Sequence, residues 1–420
     1  MLFNTKKFAL SVALLASSSV AFAIPFGSFD TRSMGMGGAG VAVGSPDAAP
    51  LFNPALLSIS KESDRFSLLL PTIGIRAADP EDLQTNVDNF QNGKYLDNLQ
   101  TAVNNFKALP TTANAGIVAA NINTVNAQLA TLSNKPVTVG AGLATVVALP
   151  GKKVGAAFYL NENAAAGGSF QYKDKATLDQ LSIDVNQCAA LNLASCSAVN
   201  SFSTNNLTSG VHVKGVTLGE VGVSLSQEFE FSGHKVALGI TPKIVKAKLY
   251  DATFLVNNSS SNIGDKNIAE YSYFNFDLGA AKNYDNGWST GFVIKNVIPQ
   301  TLDFKLAQVP TGESLKLSPQ ARLGVAHTNS WSTVAADLDL TRNDPAGFEK
   351  ATQYLALGGE LNAFDWAQLR AGYRMDMVDS ARNIASVGLG LAPFKVVHID
   401  LAVARNATEV GASFQLGVRF

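Results

Sequence analysis

The chain has 420 residues, of which 46% are hydrophobic and only 15% charged. A disordered chain would combine few apolar residues with a strong net charge, so that class is excluded. The 32 basic and 33 acidic side chains nearly cancel, leaving no basic field for a nucleic-acid partner, and the 35 glycines favour turns and strands over helical bundles.

Residues 1–23 read as an export signal: Lys6 and Lys7, an apolar run from Phe8 to Ala16, then the cleavage pattern Ala21-Phe22-Ala23. The run falls short of the ~18–20 residues needed to cross a bilayer. No later stretch reaches that length as an uncharged apolar run, so an exported chain of this kind is either soluble or a membrane barrel. Residues 24–60 follow as a separate segment. Met34 to Gly40 are too glycine-rich for a stable helix, and no strand precedes them, so Gly35, Gly37 and Gly38 are not a nucleotide fingerprint. They permit close backbone packing, and Asn53-Pro54-Ala55 sets a turn before the first strand.

From residue 61 to 420 the dominant period is two, interrupted by insertions. Across 79–132 the spacing turns helical: Leu83, Val87 and Phe90, then Leu99, Val103 and Phe106, then, beyond Pro110, Ile122, Val125, Leu129 and Leu132. Asp79 and Pro80 suit a helix start, and the insertion reads as a lid over the barrel mouth. A second long loop, 163–208, holds Cys188 and Cys196, which in an oxidising compartment pair as a disulfide; no histidine lies near enough in sequence to make a zinc site.

About fourteen strands follow from the alternation: near 64–76, 137–149, 153–162, 209–231, 234–250, 269–283, 287–298, 314–327, 331–341, 351–363, 366–377, 382–393, 396–405 and 411–420. Tight turns alternate with long loops along this series, the pattern of an all-β, antiparallel outer-membrane barrel surrounded by lipid. One face of the strands is apolar. The other carries Asp337, Asp339, Glu360, Arg370, Arg374, Asp376, Asp400 and Arg419, which reads as a lumen network of ion pairs. Trp288, Trp331 and Trp366 each follow a short turn directly, where an interfacial girdle belongs.

The N-terminal stretch Arg32 to Ala42 followed by Asn53-Pro54-Ala55 resembles the FadL-like superfamily of outer-membrane barrels. Leu68-Leu69-Leu70-Pro71, Asp79 to Leu83 and Pro150 to Gly155 are similar to its barrel-type TraF-like (plasmid conjugal transfer) family. The resemblance implies fourteen strands, a hatch formed by residues 24–60 inside the barrel, and hydrophobic ligands leaving through a kinked wall strand. Terminal Phe420 resembles the signal read by the barrel-assembly machinery.

No cofactor motif and no catalytic motif stands around His212, His234, His327 or His398, so a non-enzyme is expected. The expected function is binding and passage of small hydrophobic molecules. An envelope accessory in conjugal transfer or secretion is the alternative, and an outer-membrane lipid hydrolase the remote one.

Overall fold

The computed structural model describes residues 29–59, 65–257, 267–307, 309–343, 351–363 and 366–420. The export signal, the first residues of the hatch and the turn at Phe364-Asp365 lie outside the described residues. Fourteen antiparallel strands close into a barrel. They are β1 (Ser67–Ala78), β2 (Pro136–Leu149), β3 (Gly155–Gln171), β4 (Gly210–Phe231), β5 (His234–Leu255), β6 (Ile268–Asn283) and β7 (Trp288–Lys295), then β10 (Gln320–Thr328) through β16 (Glu409–Arg419). Between β7 and β10 lies a separate hairpin, β8 (Gln300–Leu306) and β9 (Val309–Leu317). Because β7 pairs directly with β10, from Lys295 against Gln320 to Trp288 against His327, the wall closes without that hairpin.

Alternation decides which face each residue takes. Leu369 and Tyr373 of β13 (Ala367–Asp376) and Leu401 and Val403 of β15 (Val397–Arg405) are exposed, whereas Arg370 and Asp400 are buried. Water does not select such a surface. A hydrocarbon surround does, and it leaves the polar set for the interior. Trp288, Trp331 and Trp366 are exposed at the short-turn end, and Phe420 stacks on Phe66 at 5.1 Å beside the chain's last hydrogen bonds.

The wall has two heights. Strands β2 to β6 run to 14, 17, 22, 22 and 16 residues. In contrast β7 has 8 and β14 (Ile384–Leu391) has 8, close to the 9–11 that cross a bilayer. Outward residues of the tall side change character above Leu160, Ile244 and Phe274: Glu162, Lys246, Lys248 and Glu270 follow, with Lys248 paired to Glu270 at 2.8 Å. These charges set the upper limit of the apolar belt.

Above that limit stands a helical unit: α3 (Leu83–Asn92), α4 (Tyr95–Ala108) and α5 (Thr112–Leu132) from the first insertion, α6 (Lys175–Ala189) and α7 (Leu193–Ser201) from the second. Two short helices of the N-terminal segment, α1 (Thr31–Gly35) and α2 (Ala49–Phe52), precede them. The apolar stripe Leu83, Val87, Phe90, Leu99, Val103, Phe106, Ile122, Val125, Leu129 and Leu132 is buried in one core with Leu178, Leu181 and Val185 of α6. Asp79 accepts from the amides of Leu83 and Gln84 at 2.7 and 3.0 Å and so caps α3 from four residues back. The disulfide Cys188–Cys196 ties α6 to α7.

Four departures from the sequence reading have physical causes. β3 continues to Gln171, through the stretch read as loop from 163, because Ala164 to Gly168 are too small to display alternation. β5 likewise continues to Leu255. The strand read over 314–327 is two strands, broken at Ser318-Pro319. The helices do not form a lid. Their core includes Phe170 and Val211, paired on the outward face of β3 and β4, with Val137 and Val213 packed alongside, so the unit leans on the outer side of the tall wall.

Candidate functional site

The lumen on the short-turn side is filled by residues 29–59, most of them buried. The wall admits this segment because glycines occupy inward positions of the strands. A Cβ on Gly372 would lie 2.0 Å from the Gly37 amide nitrogen, and one on Gly279 would lie 2.1 Å from Asn53 Oδ1. Gly37 itself has φ +70, and a Cβ there would meet the β12 (Tyr354–Ala363) and β13 backbones at 2.7 Å. Gly35 faces Gly388, and Gly38 has φ +98 beside Arg374.

Ion pairs and backbone bonds hold the hatch in that seat. Arg32 makes two hydrogen bonds of 2.9 Å to Glu360, which also accepts from Arg370 at 2.7 Å, and Arg370 continues to Asp400 at 2.5 Å. Asp337 accepts the Gly40 and Val41 amides at 2.8 and 2.9 Å. Arg322 pairs with Asp339 at 2.5 Å and donates to the Gly38 carbonyl at 3.3 Å. Arg419 grips Asp47 at 2.9 and 3.1 Å. Asn53 bonds the Val41 and Ala280 carbonyls through Nδ2 and the Ala55 amide through Oδ1, so the Asn53-Pro54-Ala55 turn is pinned to β6. Thus six of the eight lumen charges read from the sequence join the hatch network. Arg374 and Asp376 do not: they sit nearer the long-loop rim, pairing with Glu409 at 3.6 Å and Arg382 at 3.1 Å.

On the tall side a second network lies above the hatch. Lys243, fully buried, pairs with Glu220 at 2.8 Å and Asp277 at 3.0 Å, and Asn161 donates to Glu220 at 3.2 Å. Lys295 donates to the Leu51 carbonyl of the hatch at 2.8 Å. Lys243, Arg32 and Asp47 escaped the sequence reading. Lys243 shares the inward parity of Gly239 and Thr241, which is the one signal that could have found it.

Above this layer the inner wall turns apolar, and β8–β9 folds inward over it. Leu302, Phe304 and Leu315 are buried against Val216, Leu218, Val245, Ala247 and Leu249. Lys214 pairs with Glu313 and lies 5.8 Å from the Phe304 ring centre. At the long-loop rim, His212 meets Asp251 at 2.6 Å and Gln171 at 2.9 Å; at the opposite, short-turn end, His327 packs edge-on against Trp288.

Beside the hatch the register of the wall slips. In β1, Leu69 pairs with Gly417 and Val146, but pairing resumes one residue out of step, at Ile73 with Phe414 and Thr72 with Ala144. Pro71 lies in the slip and has no amide to donate. Inward parity changes with it, from Ser67 and Leu69 to Thr72 and Gly74. Behind it, Phe29 covers Gly74 and Gly142, and Thr72 donates to its carbonyl at 3.1 Å.

A closed fourteen-stranded barrel with an apolar outer belt and its N-terminal segment locked in the lumen defines a FadL-like outer-membrane barrel. The crystal structure of the Ralstonia pickettii toluene transporter TbuX is similar in fold: TM-score 0.55, 14% identity, covering 94% of this chain and 99% of that one. The TodX deltaS2S3 mutant monoaromatic hydrocarbon channel gives 0.54 at 12% identity, with coverage of 94% and 99%. The Pseudomonas putida toluene transporter TodX gives 0.50 at 13%, again covering 94% and 99%. No curated protein matches the chain. Within this fold the chain belongs to the family described as "F plasmid transfer operon, TraF, protein", which matches residues 50–339.

Proposed function

We propose that the protein resides in the bacterial outer membrane, hatch end toward the periplasm and helical unit outward, and binds and passes small hydrophobic molecules. The observation that supports this reading is the break in β1: a slip against both neighbours at Pro71, backed by the Phe29 ring. A bulge that opens one place in the wall gives an apolar molecule a lateral route between lumen and lipid. Two structures of like fold are named a toluene transporter and a monoaromatic hydrocarbon channel, and that ligand class fits a route lined by Leu70, Pro71 and Phe29. Lipid is then the principal partner, with the barrel-assembly machinery reading Phe420 during insertion. No cofactor enters this scheme.

Deleting Pro71 removes the extra residue and restores a single alternation through β1. Toluene entry into vesicles carrying the folded protein should then fall about tenfold, close to that of empty vesicles. Unchanged entry would reject the lateral route.

One observation favours a second reading, an accessory in conjugal transfer. The disulfide-braced turn between α6 and α7 holds Leu191 at φ 68 and leaves Leu191 and Leu193 87% and 84% exposed on a unit that stands beside the wall. Replacing both with Asp should then abolish the plasmid-transfer phenotype while toluene entry is untouched; intact transfer would dismiss this reading.

A further inference from the structure

We infer that the apolar inner wall of β4 to β6 is a binding site for an uncharged molecule built on a single aromatic ring, and that the β8–β9 hairpin occupies this site as an internal competitor. The inference deepens the passage reading and rests on it for the class of molecule. The ligand site itself is argued from the lumen.

The wall below is ionic, with Glu220, Lys243 and Asp277 in one layer, and the rim above is polar, with Gln171, His212 and Asp251. Between them Val216, Leu218, Val245, Ala247, Leu249 and Ala269 form an apolar patch facing the lumen. A barrel needs apolar residues on its outer face, not here. In this structure the patch is buried by a segment the barrel does not need for closure, since β7 and β10 pair without it.

Among the described side chains of the hairpin, Leu302 and Phe304 of β8 and Leu315 of β9 are buried and apolar, while Val309, at the far end of β9, is 64% exposed. The polar ties of its body lie at the surface: Glu313, 55% exposed, reaches Lys214, Tyr271 donates to the Asp303 carbonyl at 2.8 Å, and Lys305 lies 5.3 Å from the Tyr271 ring centre. Its base, by contrast, is fixed to β6: Asn275 exchanges bonds of 2.9 and 3.0 Å with Ile298, Asp277 accepts the Asn296 amide at 2.7 Å and the Phe276 carbonyl accepts the Val297 amide at 3.1 Å, so the hairpin swings on an anchored base. The chain enters the hairpin through Asn296 and turns at Ala307, both with positive φ, 54 and 50. Such a segment separates from its seat at lower cost than a barrel strand, which is bonded on both edges.

Phe304 supplies the chemical template. Its ring, 2% exposed, lies on the apolar patch with the Lys214 ammonium 5.8 Å from its centre. A molecule that replaces it keeps both interactions if it carries an aromatic face and no charge. The hairpin and the ligand then exclude each other, and apparent affinity is lowered by the fraction of time the hairpin is seated.

The test uses the full chain in lipid nanodiscs, titrated with 4-fluorotoluene and followed by fluorine NMR. Replacing residues 300–317 with a short Gly-Ser linker should tighten binding about tenfold. Phe304→Ala, which leaves the hairpin in place, should tighten it several-fold, and keeps the test available if the linker variant does not fold. Adding Val245→Asn to either variant should cancel the gain. Equal affinity in all these proteins, or a gain that survives Val245→Asn, would overturn the inference. Toluene flux is measured in parallel: binding that follows the prediction without flux rejects the passage reading alone, and flux with binding indifferent to the hairpin rejects this inference alone.

Discussion

Toward the short-turn end, apolar side chains such as Leu369 and Leu401 face outward while Arg370, Glu360 and Asp400 are buried. Toward the long-loop end, in α3 to α7, Leu99, Val103 and Leu129 turn inward and the polar residues face out. One chain thus follows two opposite patterns, divided at the level of Glu162, Lys246 and Glu270. The solvent explains both. Lipid rewards no apolar burial at the outer face, so the membrane half is held by backbone ladders, hydrogen bonds and ion pairs. Its apolar packing is confined to the lumen, where Leu51, Phe52, Leu56 and Leu57 of the hatch meet Leu69, Val146 and Tyr159 of the wall. Water rewards it at ~25 cal/mol per Å², so the helical unit is held by an apolar core.

The comparison breaks first at Glu360. Glu360→Ala leaves Arg32 and Arg370 buried without their shared carboxylate, and removing one partner of a buried pair costs about 3–5 kcal/mol. The hatch should become open to protease from the short-turn side, with the helical unit unchanged; a hatch still protected would mean that the ion pairs do not hold it. The converse change is Leu129→Ala. It should cost the helical unit about 2–5 kcal/mol while the barrel keeps its resistance to denaturation in detergent. Loss of both together would show that the two halves are one cooperative body.

Opening Cys188–Cys196 should cost about 2 kcal/mol in the helical unit alone, read as faster hydrogen exchange in α6 and α7. The smallest effect sharpens the aqueous side. Burial pushes the Asp174 carboxyl up, but hydrogen bonds from Ser209 and Thr208 outweigh it and hold it below the usual range. A carboxyl lowered by folding stabilises the fold above its unfolded value, about 3.9, and that contribution is lost as pH falls through the folded value. The start of α6 and β4 should therefore loosen in acid below about pH 4. Asp174→Asn should flatten that dependence in a helix-melting titration; an unchanged acid transition would count against it.

The sequence disclosed what is periodic. Alternation placed Asp337 and Glu360 on one face and Leu357 and Leu361 on the other, and helical spacing marked Leu99, Val103 and Phe106. It could not show that Arg32 meets Glu360, because that partner is 328 residues away and set by the closure of the barrel. It also hid the β8–β9 hairpin: Pro310 and Gly312 interrupt its alternation, and the hairpin faces a wall built from β4 to β6. The insertion's helices were visible but their seat was not, since Phe170 fell in the stretch read as loop and Val211 read equally well as a membrane residue.

The account rests on strands whose two faces meet different surroundings, and β16 tests it most directly. Single spin labels at each position from Gly411 to Val418, in the reconstituted protein, report collision with lipid-dissolved oxygen and with a water-soluble nickel chelate. Oxygen collision should peak at Ala412, Phe414, Leu416 and Val418 and drop at Ser413, Gln415 and Gly417. Nickel collision peaking at Phe414 and Leu416, or no period of two, would contradict the account.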